Sequence, residues 1–143
     1  LEHASWAPAL DGARVIDLFA GSGALGLEAL SRGADQCLLV ENARPAQLAI
    51  RENITALGVG RQARLLSRNA VSLGPRPETI DAGFDFAFLD PPYGKSLIKP
   101  CLDRLIQGKW LGHGAVVIAE TAVDEVPDFS DWQVLNTRES GAA

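Results

Sequence analysis

Val15-Ile16-Asp17-Leu18-Phe19-Ala20-Gly21-Ser22-Gly23-Ala24-Leu25-Gly26 is the stretch that decides the fold. Its first half reads as a buried parallel strand, a short apolar run bounded by polar residues and glycine. Its second half has the spacing GxGxxG. A helix is expected next, with Leu25, Leu27, Ala29 and Leu30 among its apolar positions and Arg32-Gly33 as a basic close and C′ glycine. Glycines at those positions permit a tight turn and let a ligand approach the backbone, with the helix N-terminus facing it.

Downstream, Gln36-Cys37-Leu38-Leu39-Val40-Glu41 reads as a second strand that ends in an acid twenty residues after Gly21. A carboxylate there can accept hydrogen bonds from both hydroxyls of an adenosine ribose. To this point a nicotinamide enzyme and a methyltransferase fit equally well. Asp17 separates them, because a dinucleotide-binding strand would be apolar at that position. A carboxylate pointing into the crevice suits a cofactor with cationic groups, such as a sulfonium or an amino-acid ammonium. Burying that charge with no partner would be costly. A structural Asp that holds the glycine loop is a second reading, compatible with the first.

The apolar run Phe84-Asp85-Phe86-Ala87-Phe88-Leu89 leads directly into Asp90-Pro91-Pro92-Tyr93. Two consecutive prolines remove two backbone donors and fix φ, so they cannot continue a central strand. The chain must leave the sheet in a rigid loop that presents a carboxylate, a carbonyl and an aromatic ring. Further strands are expected over residues 63–67, 115–120 and 132–137, and helices over 45–57 and 96–109. Residues 74–83 read as a loop. Strands alternating with helices imply an α/β, Rossmann-like, doubly wound and mostly parallel sheet. Right-handed crossovers then bring Gly21 to Gly26, Glu41, Asn69 and Asp90 to Tyr93 to one rim.

At 143 residues the chain is expected to form one domain over 1–143. An apolar fraction of 47% and a charged fraction of 22% are ordinary for a globular protein. No apolar run approaches the about 18 residues needed to span a membrane, and neither a signal nor a transit segment is visible. A cytoplasmic location is therefore expected. Cys37 and Cys101 read as reduced core thiols, His3 and His113 are isolated, and no metal site is expected. The net charge of −5 argues against a strongly nucleic-acid-binding surface. That deficit is local, because residues 123–143 carry Asp124, Glu125, Asp128, Asp131 and Glu139 against Arg138 alone. Lys95 and Lys99, four residues apart on one helix face, could hold a phosphate backbone, or be a solvated face. Arg61, Arg64 and Arg68 form a second loose basic group with the same two readings.

DLFAGSGALGLEALSRGA from Asp17 to Ala34, VEN at Val40 to Asn42 and FLDPPY at Phe88 to Tyr93 together resemble the RsmD family. Its members are bacterial S-adenosylmethionine-dependent methyltransferases acting on the exocyclic N2 of one guanine in small-subunit (16S) ribosomal RNA. The resemblance runs from about Trp6 to Gly141. It implies a class I methyltransferase fold with a seven-stranded type of sheet, S-adenosylmethionine as cofactor, and 16S rRNA or the assembled small subunit as partner. No metal, no membrane and a monomer are expected.

The same resemblance implies roles for matched residues. Asp17, Gly21, Gly23 and Gly26 would line the methionine end of the cofactor, with Phe19 and Ser22 in the same loop. Glu41 would meet the ribose hydroxyls, Asn42 the adenine, and Asn69 with Ala70 the region of the adenine amine. Relatives commonly carry Asp where this chain has Asn69, whose amide oxygen can still accept a hydrogen bond. Asp90, Pro91, Pro92 and Tyr93 would be the catalytic group: Asp90 and the Pro91 carbonyl accept the amine hydrogens, and Tyr93 stacks on a flipped-out base. The family begins with a basic hairpin and helix that would precede Leu1 and ends on a further strand, so the chain is expected to be a fragment. Three other readings stand beside this one. They are a DNA adenine-N6 methyltransferase, which would normally carry a target-recognition insert; a nicotinamide oxidoreductase; and a non-catalytic RNA- or protein-binding domain on the same fold.

Overall fold

Five parallel strands form one sheet in the order β3-β2-β1-β4-β5. The computed structural model describes residues 10–92, 94–121 and 127–134. The elements are β1 (Arg14–Leu18), α1 (Ala24–Ser31), β2 (Gln36–Val40), α2 (Arg44–Leu57), β3 (Ala63–Leu66), β4 (Phe84–Leu89), α3 (Ile98–Gln107) and β5 (Leu111–Ala119). After β1 the chain moves outward through β2 and β3, then returns to β4 on the other side of β1. The order therefore reverses between β1 and β4, and a ligand crevice opens outside the carboxyl ends at that reversal.

Alternation along the strands feeds two cores. Ile16, Leu18, Leu38, Val40, Ala87 and Leu89 point to one face and pack against Ile98, Cys101, Leu102 and Leu105 of α3. Those α3 residues recur at helical spacing, so one stripe of the helix is apolar. Val15, Cys37, Leu39, Phe86 and Phe88 point to the other face, against Leu27 and Ala29 of α1 and Ile50 of α2. A register shift between Phe84 and Phe86 moves Phe84 onto the α3 face. There it stacks on the fully buried Trp110, whose indole N–H donates to the Gly74 carbonyl at 2.8 Å. The two cysteines are buried and unbonded on opposite faces, and burial raises both thiol pKa values.

The first five strands and the three helices expected from the pattern are present, most with shifted ends. β1 stops at Leu18 rather than Ala20, because Phe19 takes a left-handed φ of 63°. α3 begins at Ile98 rather than residue 96, since Ser96 has φ 53°. β5 starts at Leu111, four residues before the expected Ala115, because the glycines flanking His113 are drawn into the strand. Leu48 and Leu57 lie off the packed face of α2 and are exposed. Within the expected sixth strand, Trp132, Gln133 and Val134 are not in a strand, and residues 135–137 lie outside the described residues. Leu1 to Trp6 lie outside them too. Among the described residues, no helix is long and apolar enough to cross a membrane.

Candidate active site

The glycine loop joins β1 to α1 through left-handed backbone conformations. Gly23 precedes the helix with φ 85° and Gly21 has φ 59°, both in the region L side chains rarely adopt. Gly26 serves a different need. A Cβ there would sit 2.6 Å from Cys37 Sγ and 2.6 Å from Leu39 Cδ2, so its absence lets α1 lie against β2. The Gly26 N–H donates to Asp17 Oδ2 at 3.1 Å. Asp17 is only 2% exposed, beneath the loop. Burial pushes its carboxyl up to about 7; the Gly26 hydrogen bond opposes that rise, and the nearby charges of Asp90 and Glu41 add to it.

Glu41, directly after β2, is bound into the same loop. Its Oε1 accepts from the Gly21 N–H at 2.8 Å and its Oε2 from the Ala43 N–H at 2.9 Å. Two backbone donors thus fix the carboxylate while leaving lone pairs on both oxygens for further donors. Two α2 side chains hold the surroundings. Gln47 Nε2 donates to the Glu41 carbonyl at 2.8 Å and to Ser67 Oγ at 2.7 Å, and Asn53 Nδ2 donates to the Ser22 carbonyl at 2.9 Å. Asn69 follows β3, and its Oδ1 already accepts from the Val71 N–H at 3.0 Å, capping a short 3-10 turn over Ala70–Ser72.

These strand ends enclose a cleft of about 730 Å³. Phe19, Glu41, Asn42 and Asn69 line it together with Asp90, Pro91 and Pro92, joined by Lys95 and Glu120. Asp17, Gly21, Ser22, Gly23, Gly26 and Ala70 are not among its lining residues; Gly21 is tied to the cleft through its bond to Glu41, and Asp17 holds Gly26. Tyr93 lies outside the described residues. Lys95 lines the cleft, whereas Lys99 Nζ pairs with Asp103 Oδ2 at 3.3 Å and so turns to its own helix. Arg61 and Arg64 are exposed, while Arg68 Nη1 donates to the Leu73 carbonyl at 2.9 Å, so the loose basic group does not act as one. A second hollow of about 540 Å³, beside Ser72, Arg104 and Gln107, contains none of the expected site residues. Among the described residues, no three His, Cys, Asp or Glu side chains are grouped as metal ligands.

Sequence reasoning missed Glu120, Gln47 and Asn53. Glu120 carried a visible signal, since an acid directly after an apolar strand is the pattern that marked Glu41 and Asp90. Gln47 and Asn53 are polar positions on an amphipathic helix, and only the packing of α2 beside the loops reveals their role.

Chemically, three carboxylates and one lysine line the cleft, and buried Asp17 lies near enough to feel the charges of Asp90 and Glu41. Such a site attracts cations and amine hydrogens and disfavours a pyrophosphate. The fixed Glu41 carboxylate suits vicinal ribose hydroxyls, and the acidic surroundings suit a sulfonium and an ammonium. The residues therefore fit S-adenosylmethionine.

Comparison with known proteins agrees. Residues 3–143 match the model of a family described as conserved hypothetical protein 95. Ribosomal RNA small subunit methyltransferase D of Escherichia coli is 36% identical, over 94% of this chain and 67% of the relative. A putative rRNA methyltransferase of Bacillus subtilis, YlbH, is 34% identical over 93% of this chain and 73% of its own length. Among solved structures, the putative methyltransferase yhhF from Escherichia coli superposes with a TM-score of 0.82 at 32% identity, covering 95% of this chain and 74% of that one. Sheet order, acidic cleft and sequence identity across nearly the whole chain agree, and the chain belongs to the RsmD family of S-adenosylmethionine-dependent methyltransferases.

Proposed function

We propose that this protein transfers a methyl group from S-adenosylmethionine to ribosomal RNA, and that the acceptor is the exocyclic N2 amine of a guanine in the small-subunit RNA. Two relatives bear names of rRNA methyltransferases, one of them specifying the small subunit. The observation that carries the reading is the presence of Asp90 and Pro91, directly after β4, in the cleft that also holds Glu41.

An exocyclic guanine amine is a poor nucleophile, because its lone pair is delocalised into the ring. The cofactor supplies a methyl already activated on a sulfonium. What this chain must add is orientation. Asp90 Oδ and the Pro91 carbonyl accept the two amine hydrogens, draw the nitrogen toward tetrahedral geometry and stabilise the positive charge it gains. The prolines make that pair of acceptors rigid. Tyr93, the next residue in sequence, is assigned to stacking on the base, a contact worth about 1–3 kcal/mol. Glu41 holds the ribose and Phe19 supplies an apolar wall. Asp17 balances the cationic end from below, and Lys95 neutralises a phosphate beside the target nucleotide.

Asp90→Ala separates binding from chemistry. Transfer of labelled methyl to rRNA is expected to fall by roughly 10²-fold or more, with cofactor affinity within a few-fold of wild type by calorimetry. Transfer unchanged, or transfer and cofactor binding lost together, would count against the assignment.

A further inference from the structure

Methyl transfer leaves a proton to be removed, and the cleft contains a carboxyl that the scheme above does not use. β4 and β5 pair with Leu89 opposite Ala119, and the Glu120 N–H donates to the Leu89 carbonyl at 2.8 Å. Asp90 and Glu120 therefore leave adjacent strands side by side, and both line the cleft. Carboxyls set side by side at two strand ends can share a hydrogen bond once a single proton lies between them. Glu120 is also exposed, which gives that proton a way to solvent. The other charges around the pair are Lys95 in the same cleft, Glu41 at the end of β2 and Asp17 beneath it.

We propose that Asp90 and Glu120 act as a pair in accepting the proton, with Asp90 touching the amine and Glu120 the positioning residue that shares the proton and passes it to water. The inference rests on the methyl-transfer reading of this cleft. As the N–C bond forms and the S–C bond breaks, the amine becomes cationic. Its N–H bond then breaks toward Asp90 Oδ, and the pair goes from two negative charges to one. Release of the shared proton from Glu120 to water restores the starting state. Partial burial first, then the Asp90 charge and the hydrogen bond to Asp90, hold the Glu120 carboxyl above its usual range. That direction is the one a proton-sharing pair requires.

The test is the pH profile of the single-turnover rate in wild type, Glu120→Gln and Glu120→Ala, with a carboxyl ¹³C titration of the protein without RNA. Two carboxyls sharing a proton hold it to higher pH than one, so the acid limb is expected to move down by about one pH unit in both variants. KM for RNA and cofactor is expected to stay within twofold. Glu120 is expected to titrate above the usual carboxylate range in wild type and to lose that elevation in Asp90→Asn. Asp17 is unchanged in the Glu120 variants, so its own titration cancels in the comparison of their pH profiles. Superimposable profiles, or an ordinary Glu120 titration in wild type, would overturn the pair. A wild-type protein that transfers no methyl to rRNA while Glu120 still titrates with Asp90 would remove the methyl-transfer reading instead, and the role in catalysis with it.

Discussion

Asp17 shows how one residue can serve the fold at a cost. Its carboxyl anchors the Gly26 N–H and is 2% exposed, and burial pushes its pKa from 3.8 up to about 7. The folded state therefore binds a proton more tightly than the unfolded chain. Stability from this group is complete below about pH 4 and is lost as pH rises to about 7, a difference on the order of 4 kcal/mol. Urea midpoints should show that decline in wild type between about pH 4 and 7, and Asp17→Asn should show less of it. A cationic ligand above Asp17 favours the ionised form, so cofactor affinity should rise with pH over the same range in wild type and stay flat in the variant. Affinity independent of pH in both would place the cofactor's cationic groups elsewhere. Asp17 stood out in the sequence because a charge inside an apolar strand is conspicuous. Its bond to Gly26 was not legible, because that contact depends on how α1 lies over the strand.

At the level of elements, the site is a set of strand ends braced by α2. Glu41 is joined to the glycine loop by Gly21, and Asn53 reaches from α2 to the Ser22 carbonyl, thirty-one residues away. Asn53→Ala removes that brace. The expected stability loss is about 1 kcal/mol, the net value of one such hydrogen bond, with cofactor binding weakened several-fold and the Asp90 chemistry untouched. Equal cofactor affinity in variant and wild type would show that the loop holds its shape without the brace. The glycine spacing and the acid twenty residues on were plain in sequence because turn chemistry and strand ends are local. The Asp90–Glu120 pairing was not, because it depends on β4–β5 register, and residues thirty apart carry no local mark of it. The early start of β5 was hidden for a related reason: the glycines flanking His113 read as a turn, and they fall where β5 passes irregularly from its Leu111–Phe84 pairing to its Val116–Phe86 pairing.

Across the whole molecule, an acidic cleft must receive a polyanion. Glu41, Asp90 and Glu120 favour the cofactor's cationic groups and the amine, while Lys95 is the lysine among the cleft-lining residues. RNA must therefore dock mainly through contacts outside the cleft, with Lys95 meeting a phosphate near the target base. Lys95→Ala should raise KM for RNA several-fold and reduce the slope of log affinity against log salt by roughly 0.7, the value for one contact to a single strand. An unchanged slope would assign Lys95 to the carboxylates instead. The fold was legible in outline because the alternation of strands and helices is periodic and β1 leads directly into the glycine loop. Acceptor identity is not written in the fold, since the same amine-orienting loop serves guanine and adenine alike.

The most direct measurement is therefore nucleoside analysis of small-subunit RNA after incubation with labelled S-adenosylmethionine and the purified protein, offering naked RNA and assembled subunits separately. Label recovered as N2-methylguanosine, and absent with Asp90→Ala, is the predicted result. Label in any other nucleoside, or none on either substrate while cofactor binding is intact, would contradict the assignment of this cleft to guanine N2.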